Sequence, residues 1–140
     1  MSVRSEILKR SKKLFTIAAV LYCSGATAAE PLTDQDRGYV VAVVATLVVP
    51  AKCPGFEMVS GALEKYGDQI DVDGSILVAI VNAMQLSAGQ TYNSAMLIPE
   101  VTRVMNEALD ALHDAITENQ TIECKRWGDF LIDRGLIKPK

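Results

Sequence analysis

Beyond residue 33 the chain alternates between apolar stretches and short polar breaks, and the spacing inside most stretches predicts a helix. Thr33-Asp34-Gln35-Asp36 opens the first one. The threonine can accept a hydrogen bond from the orphan amides of an opening turn, and the acids sit at the positive end of the helix dipole. The Val-rich run from Tyr39 to Val49 follows, giving a helix to about Val48 that Pro50 stops. On propensity alone the same run suits a buried strand. No second segment offers itself as its pairing partner, and the run is too short for the roughly 20 residues a spanning helix needs, so it reads as a central helix covered by its neighbours.

Pro54 sits where a first helical turn tolerates a missing amide, and Phe56, Val59, Leu63 and Tyr66 recur at three- and four-residue spacing up to Gly67. This predicts a second, amphipathic helix. Ile76 to Met84 reads as a third, capped by Asp73 and apolar enough to imply burial. Ser87 to Ser94 is polar, carries Gly89 and reads as a loop. From Pro99 to about Asn119 the periodicity is clearest. Val101, Val104, Met105, Ala108, Leu109, Leu112, Ala115 and Ile116 form one stripe, while Glu100, Arg103, Glu107, Asp110 and Asp114 face away. A last helix from about Thr121 carries Cys124, Trp127, Phe130 and Leu131 and closes at Gly135, where Leu136 can fold back onto Leu131. The fold class is all-α, a small bundle of about five helices.

Residues 1–28 have a different character. Arg4, Lys9, Arg10, Lys12 and Lys13 precede an apolar stretch from Leu14 to Cys23, and small residues at Ala26 and Ala28 follow. This is the layout of a cleavable signal peptide, cut before Ala29, with a cut after Ala29 as the near alternative. A retained anchor is disfavoured by the shortness of the apolar stretch and by Ser24 and Gly25, which break it. Lipid attachment at Cys23 is disfavoured by the bulky Tyr22 before it. Residues 29–140 then form a single exported helical domain, periplasmic or secreted, with no stable membrane anchor, and the long basic leader suits a bacterium.

Removing the leader changes two balances. The full chain has a net charge of −3 and the leader carries +4, which leaves the exported domain at −7. An acidic surface of this kind repels nucleic acid and anionic lipid, so neither is expected as a partner. Of three cysteines, Cys23 leaves with the leader, so Cys53 and Cys124 remain and are expected to form a disulfide in an oxidising compartment. Closing a loop of about 70 residues is worth roughly 4 kcal/mol in the chain-entropy model. A bridge between two chains of a homodimer is the lesser alternative.

Candidate chemistry is sparse. His113 is the one histidine, with Asp110 on the same helix face, but no second histidine or free cysteine completes a zinc site. Asp71 and Asp73 before Gly74 resemble part of a calcium loop. The pattern fails at Gln69 and Ile80, which leaves helix capping as their role. Lys52, Lys125, Arg126 and Arg134 lie near the expected bridge and form at most a local anion-binding patch. Asn119-Gln120-Thr121 matches a glycosylation acceptor in a eukaryotic host. No nucleophile elbow or phosphate-binding glycine loop occurs, so no catalytic residue, metal or cofactor is assigned.

The expected function is therefore a non-catalytic exported accessory protein that binds a protein partner or client, or an apolar ligand, in a groove between helices. In layout alone it is similar to the HdeA-type periplasmic acid chaperones, which are small, exported, helical and carry one disulfide. That resemblance implies a role in envelope stress. A secreted inhibitor, an immunity protein or a host-interaction factor is the alternative.

Overall fold

The computed structural model describes residues 31–140. The expected leader, its expected cleavage at Ala28 and Ala29, and Cys23 lie outside the described residues. Five helices follow in order: α1 (Asp34–Lys52), α2 (Ala62–Gln69), α3 (Gly74–Ser87), α4 (Pro99–Glu118) and α5 (Gln120–Asp133). Two short strands, β1 (Phe56–Met58) and β2 (Ile137–Pro139), and a single 3-10 turn (Ser94–Met96) complete the described elements. Among the described residues no helix is long and apolar enough to cross a membrane.

Helix α1 forms because its ends favour it and its sides are covered. Thr33 Oγ1 accepts from the Asp36 amide at 3.1 Å while the Asp36 carboxylate accepts from the Thr33 amide at 3.3 Å, a reciprocal capping box. Every residue from Ala42 to Thr46 is buried, as are Tyr39, Val40 and Val49, so the Val-rich run is a central helix and the strand alternative falls. The Thr46 hydroxyl, buried among valines, donates to the Ala42 carbonyl at 2.7 Å. Its closest extensive partner is the long amphipathic α4, and α3, α5 and β1 pack around the remaining sides.

Pro50 does not stop α1, which runs on to Lys52. In the last turn a proline removes only the amide that would have reached the Thr46 carbonyl, and the Cys53 amide still closes the helix on Val49 at 2.7 Å.

The second helix is shorter than expected. Only Leu63 and Tyr66 of the predicted stripe lie on α2; Phe56 lies in β1, and Val59 lies in the segment after it. The segment from Phe56 to Met58 pairs instead with the chain's end, antiparallel, matching Phe56 with Pro139, Glu57 with Lys138 and Met58 with Ile137. Cross-strand bonds from Val59 to Leu136 (3.1 Å) and from Lys140 to Gly55 (2.9 Å) extend the ribbon, and Gly55 takes a positive φ of 97° at its turn. The fold is thus all-α with a two-stranded clip.

Cys53 and Cys124 are joined, with Cα atoms 5.6 Å apart, so the end of α1 is tied to the start of α5. Gln120 supports the same junction by donating to the Lys52 carbonyl at 3.0 Å. At the other end of α5, Leu136 donates to Leu131 (3.0 Å) and Gly135, at φ 72°, donates to Ile132 (2.9 Å), a complete glycine C-cap. Leu131 and Leu136 are both fully buried in the core.

Candidate functional site: an uncharged apolar face

Asp73 caps α3 as expected, accepting from the Ser75 amide at 2.8 Å, and this bond holds its carboxyl below the usual carboxylate range. The helix it starts contains no charged residue. One side, formed by Ile76, Ala79, Ile80 and Ala83, is buried against the core. The other side is not. Val78 and Val81 stand 43% and 45% exposed and Leu86 beyond them 42%, so the burial implied by the apolar run from Ile76 to Met84 holds for one side only. The run exceeds what one core-facing stripe can use, since α1, α2, α4 and the 3-10 turn pack against α3 and still leave these three side chains exposed.

The uncharged region is longer than the helix. From Gly74 to Pro99 the chain holds no Asp, Glu, Lys, Arg or His, and five of the eight large apolar side chains exposed among the described residues fall within it: Val78, Val81, Leu86, Tyr92 and Met96. The connection after α3 is fastened by a buried side chain. Asn82 donates to the Val78 carbonyl at 2.9 Å and accepts from the Asn93 amide at 2.8 Å, while Asn93 caps the 3-10 turn through the Ala95 amide at 3.0 Å. Tyr92 and Met96 are thereby carried on a loop held to α3.

A cleft of about 320 Å³ runs along this face. Val43 and Leu47 of α1 and Leu63 of α2 form one wall. Leu77, Val81, Met84 and Ala88 form the other, with Gln85 and Gln90 among the lining residues and no charged side chain in it. Leu77, Val81 and Met84 of α3 and its C-cap residue Ala88 recur at spacings of four, three and four, which places them in one row along the helix. Such a slot accepts an apolar side chain or the apolar face of a helix, because filling it costs no charge desolvation.

The remaining candidates do not assemble. His113 and Asp110 are exposed on α4, and among the described residues no group of three His, Cys, Asp or Glu side chains comes together to hold a metal ion. Asp71 has a positive φ of 58° in the turn before α3. Asn119 lies exposed at the junction of α4 and α5. Three of the cations near the bridge face carboxylates of α5: Lys125 lies 2.8 Å from Asp129, Arg126 lies 3.4 Å from Glu123, and Arg134, just past the helix end, lies 3.9 Å from Asp133. These pairings offset the positive charge that a free anion would need. A second, more polar cleft of about 570 Å³ lies between the start of α2 and the end of α5, bordered by Lys65 and Arg134. Arg134 is already engaged there, stacked 3.5 Å over the Phe130 ring and bonded to the Phe130 carbonyl at 3.0 Å.

Charge is organised elsewhere as a ladder. Glu100 pairs with Arg103 and, at 3.4 Å, with Arg37 across α1 and α4, and Arg103 also pairs with Glu107. The Arg103 hydrogen bond, aided by the charges of Arg103 and Arg37, holds the Glu100 carboxyl below its usual range. The contrast with the uncharged face is a property of the sequence that periodicity alone passes over, and the length of the tract without charge is the signal that marks it. The chain matches no protein-family model, no curated protein and no solved structure.

Proposed function

We propose that this protein is a non-catalytic exported binding module of the bacterial envelope, and that it docks a partner protein on the uncharged face of α3. Export rests on the leader in residues 1–28, and the Cys53–Cys124 bridge is compatible with an oxidising compartment. The observation that carries the binding role is the concentration of exposed apolar side chains on one charge-free tract of an otherwise acidic chain, with Val81 among them lining a cleft that has no charge in it. Patches of a few hundred Å² on small proteins commonly serve recognition.

The test is photo-crosslinking in the producing cell, with a photoreactive amino acid placed at Val81 and, in a separate strain, at exposed Asp129. A discrete adduct from position 81 and none from position 129 is the expected result. Equal labelling from both positions, or none from position 81, would overturn the reading.

A further inference from the structure

We propose that the Cys53–Cys124 bridge exchanges with thiols from one end only: an external thiolate attacks Cys124, Cys53 is the thiol released, and Cys53 then recloses the bridge. The incoming thiolate forms a new sulfur–sulfur bond to Cys124 Sγ. The bond between the two cysteines breaks, and its electron pair leaves on Cys53 Sγ as a thiolate that takes a proton. The reactant is a thiolate, whether of a small molecule or of a dithiol oxidoreductase.

Access selects the end. Cys53 is only 1% exposed and belongs to the core, so a sulfur arriving from solvent has no contact with it. Cys124 is partly exposed on α5, and its neighbours Ile122, Lys125 and Arg126 are exposed, so this part of the helix fronts solvent. Attack on the folded protein therefore begins at Cys124.

The place of the released sulfur decides how long the bridge stays open. Cys53 closes α1 at its carbonyl end, its amide bonded to Val49, where the helix dipole is negative. A thiolate expelled there forms in the apolar core and against that dipole, so the open form is disfavoured. Two holds also keep the sulfurs together once the bond is cut. Gln120 still donates to the Lys52 carbonyl, and β1 still pairs with β2. Cys53 is thus a positioned nucleophile for the mixed disulfide on Cys124, and oriented neighbours react at effective concentrations far above those of thiols in solution.

The test maps the exchange on the wild-type, disulfide-bonded protein. After incubation with roughly 5 mM glutathione and no denaturant, the sample is quenched in acidic urea with N-ethylmaleimide and read by peptide mass spectrometry. Glutathione on the Cys124 peptide and maleimide on the Cys53 peptide are expected, whereas exchange in urea that unfolds the chain should place glutathione on both. Glutathione on Cys53 to the same extent in the folded protein, or no opening short of unfolding, overturns the proposal. Single variants give a second readout with an aromatic disulfide that releases a coloured thiolate. The Cys124 thiol of Cys53→Ala should react roughly a hundredfold faster than the Cys53 thiol of Cys124→Ala. Equal rates in variants that are folded by far-UV circular dichroism overturn it, and where either variant is unfolded the wild-type map decides alone.

Discussion

Replacing Cys53 and Cys124 together with alanine removes a tie across a sequence separation of 71 residues. For a loop that long, the chain-entropy relation gives about 4.4 kcal/mol at 25 °C, all of it through the unfolded state, which gains the conformations the bridge denied it. The folded state has other holds on the same ends: the bond from Gln120 to Lys52 and the pairing of β1 with β2 remain. The native structure should therefore persist while its margin shrinks. Against a usual total of roughly 5–15 kcal/mol for a small domain, the loss is large. Urea unfolding followed by far-UV circular dichroism measures it. A stability loss of about 4 kcal/mol is expected, together with a steeper dependence on urea, because the uncrosslinked chain exposes more surface on unfolding. In thermal scans this corresponds to a fall of roughly 15 °C for a domain of this size. A loss below about 1 kcal/mol with unchanged steepness would falsify the reasoning, since the unfolded chain would then be held compact without the bridge.

Three further outcomes follow from local geometry. Burial, with the charges of Glu64 and Asp68, pushes the Tyr39 hydroxyl up to about 12, so between pH 10 and 12 the unfolded chain ionises first; stability complete below pH 10 should decline over that window, and Tyr39→Phe should flatten the decline in alkaline unfolding curves. Thr33→Ala breaks the capping box and should cost about 1 kcal/mol in urea unfolding. Gly128→Ala puts a methyl carbon 2.6 Å from the tip of the Phe56 ring, and the overpacking of about 1–3 kcal/mol outweighs the roughly 1 kcal/mol that alanine adds to a helix. Combining it with Phe56→Ala should reverse its sign, and a double-mutant cycle without coupling between the two sites would refute that contact.

The sequence by itself determined the elements whose information is local. The stripe from Val101 to Ile116 specifies α4, since a 3.6-residue period states which face is covered. Thr33, Asp73 and Gly135 mark helix ends because each supplies a bond or a backbone angle within a few residues of itself. The Cys53–Cys124 pair was legible once the leader was set aside, because two remaining cysteines allow one pairing within a chain.

Tertiary structure decided what depends on distant neighbours. Phe56 and Val59 have helical spacing, yet Phe56 joins a strand because residues 137–139 arrive beside it, and no local pattern announces a partner about 80 residues away. Helix α1 keeps its valines helical because α3, α4 and α5 surround it. The exposed face of α3, which carries the proposed docking role, was decided in the same way. An apolar run states that burial is favourable, but only the packing shows which side of α3 the core covers and which side it leaves exposed.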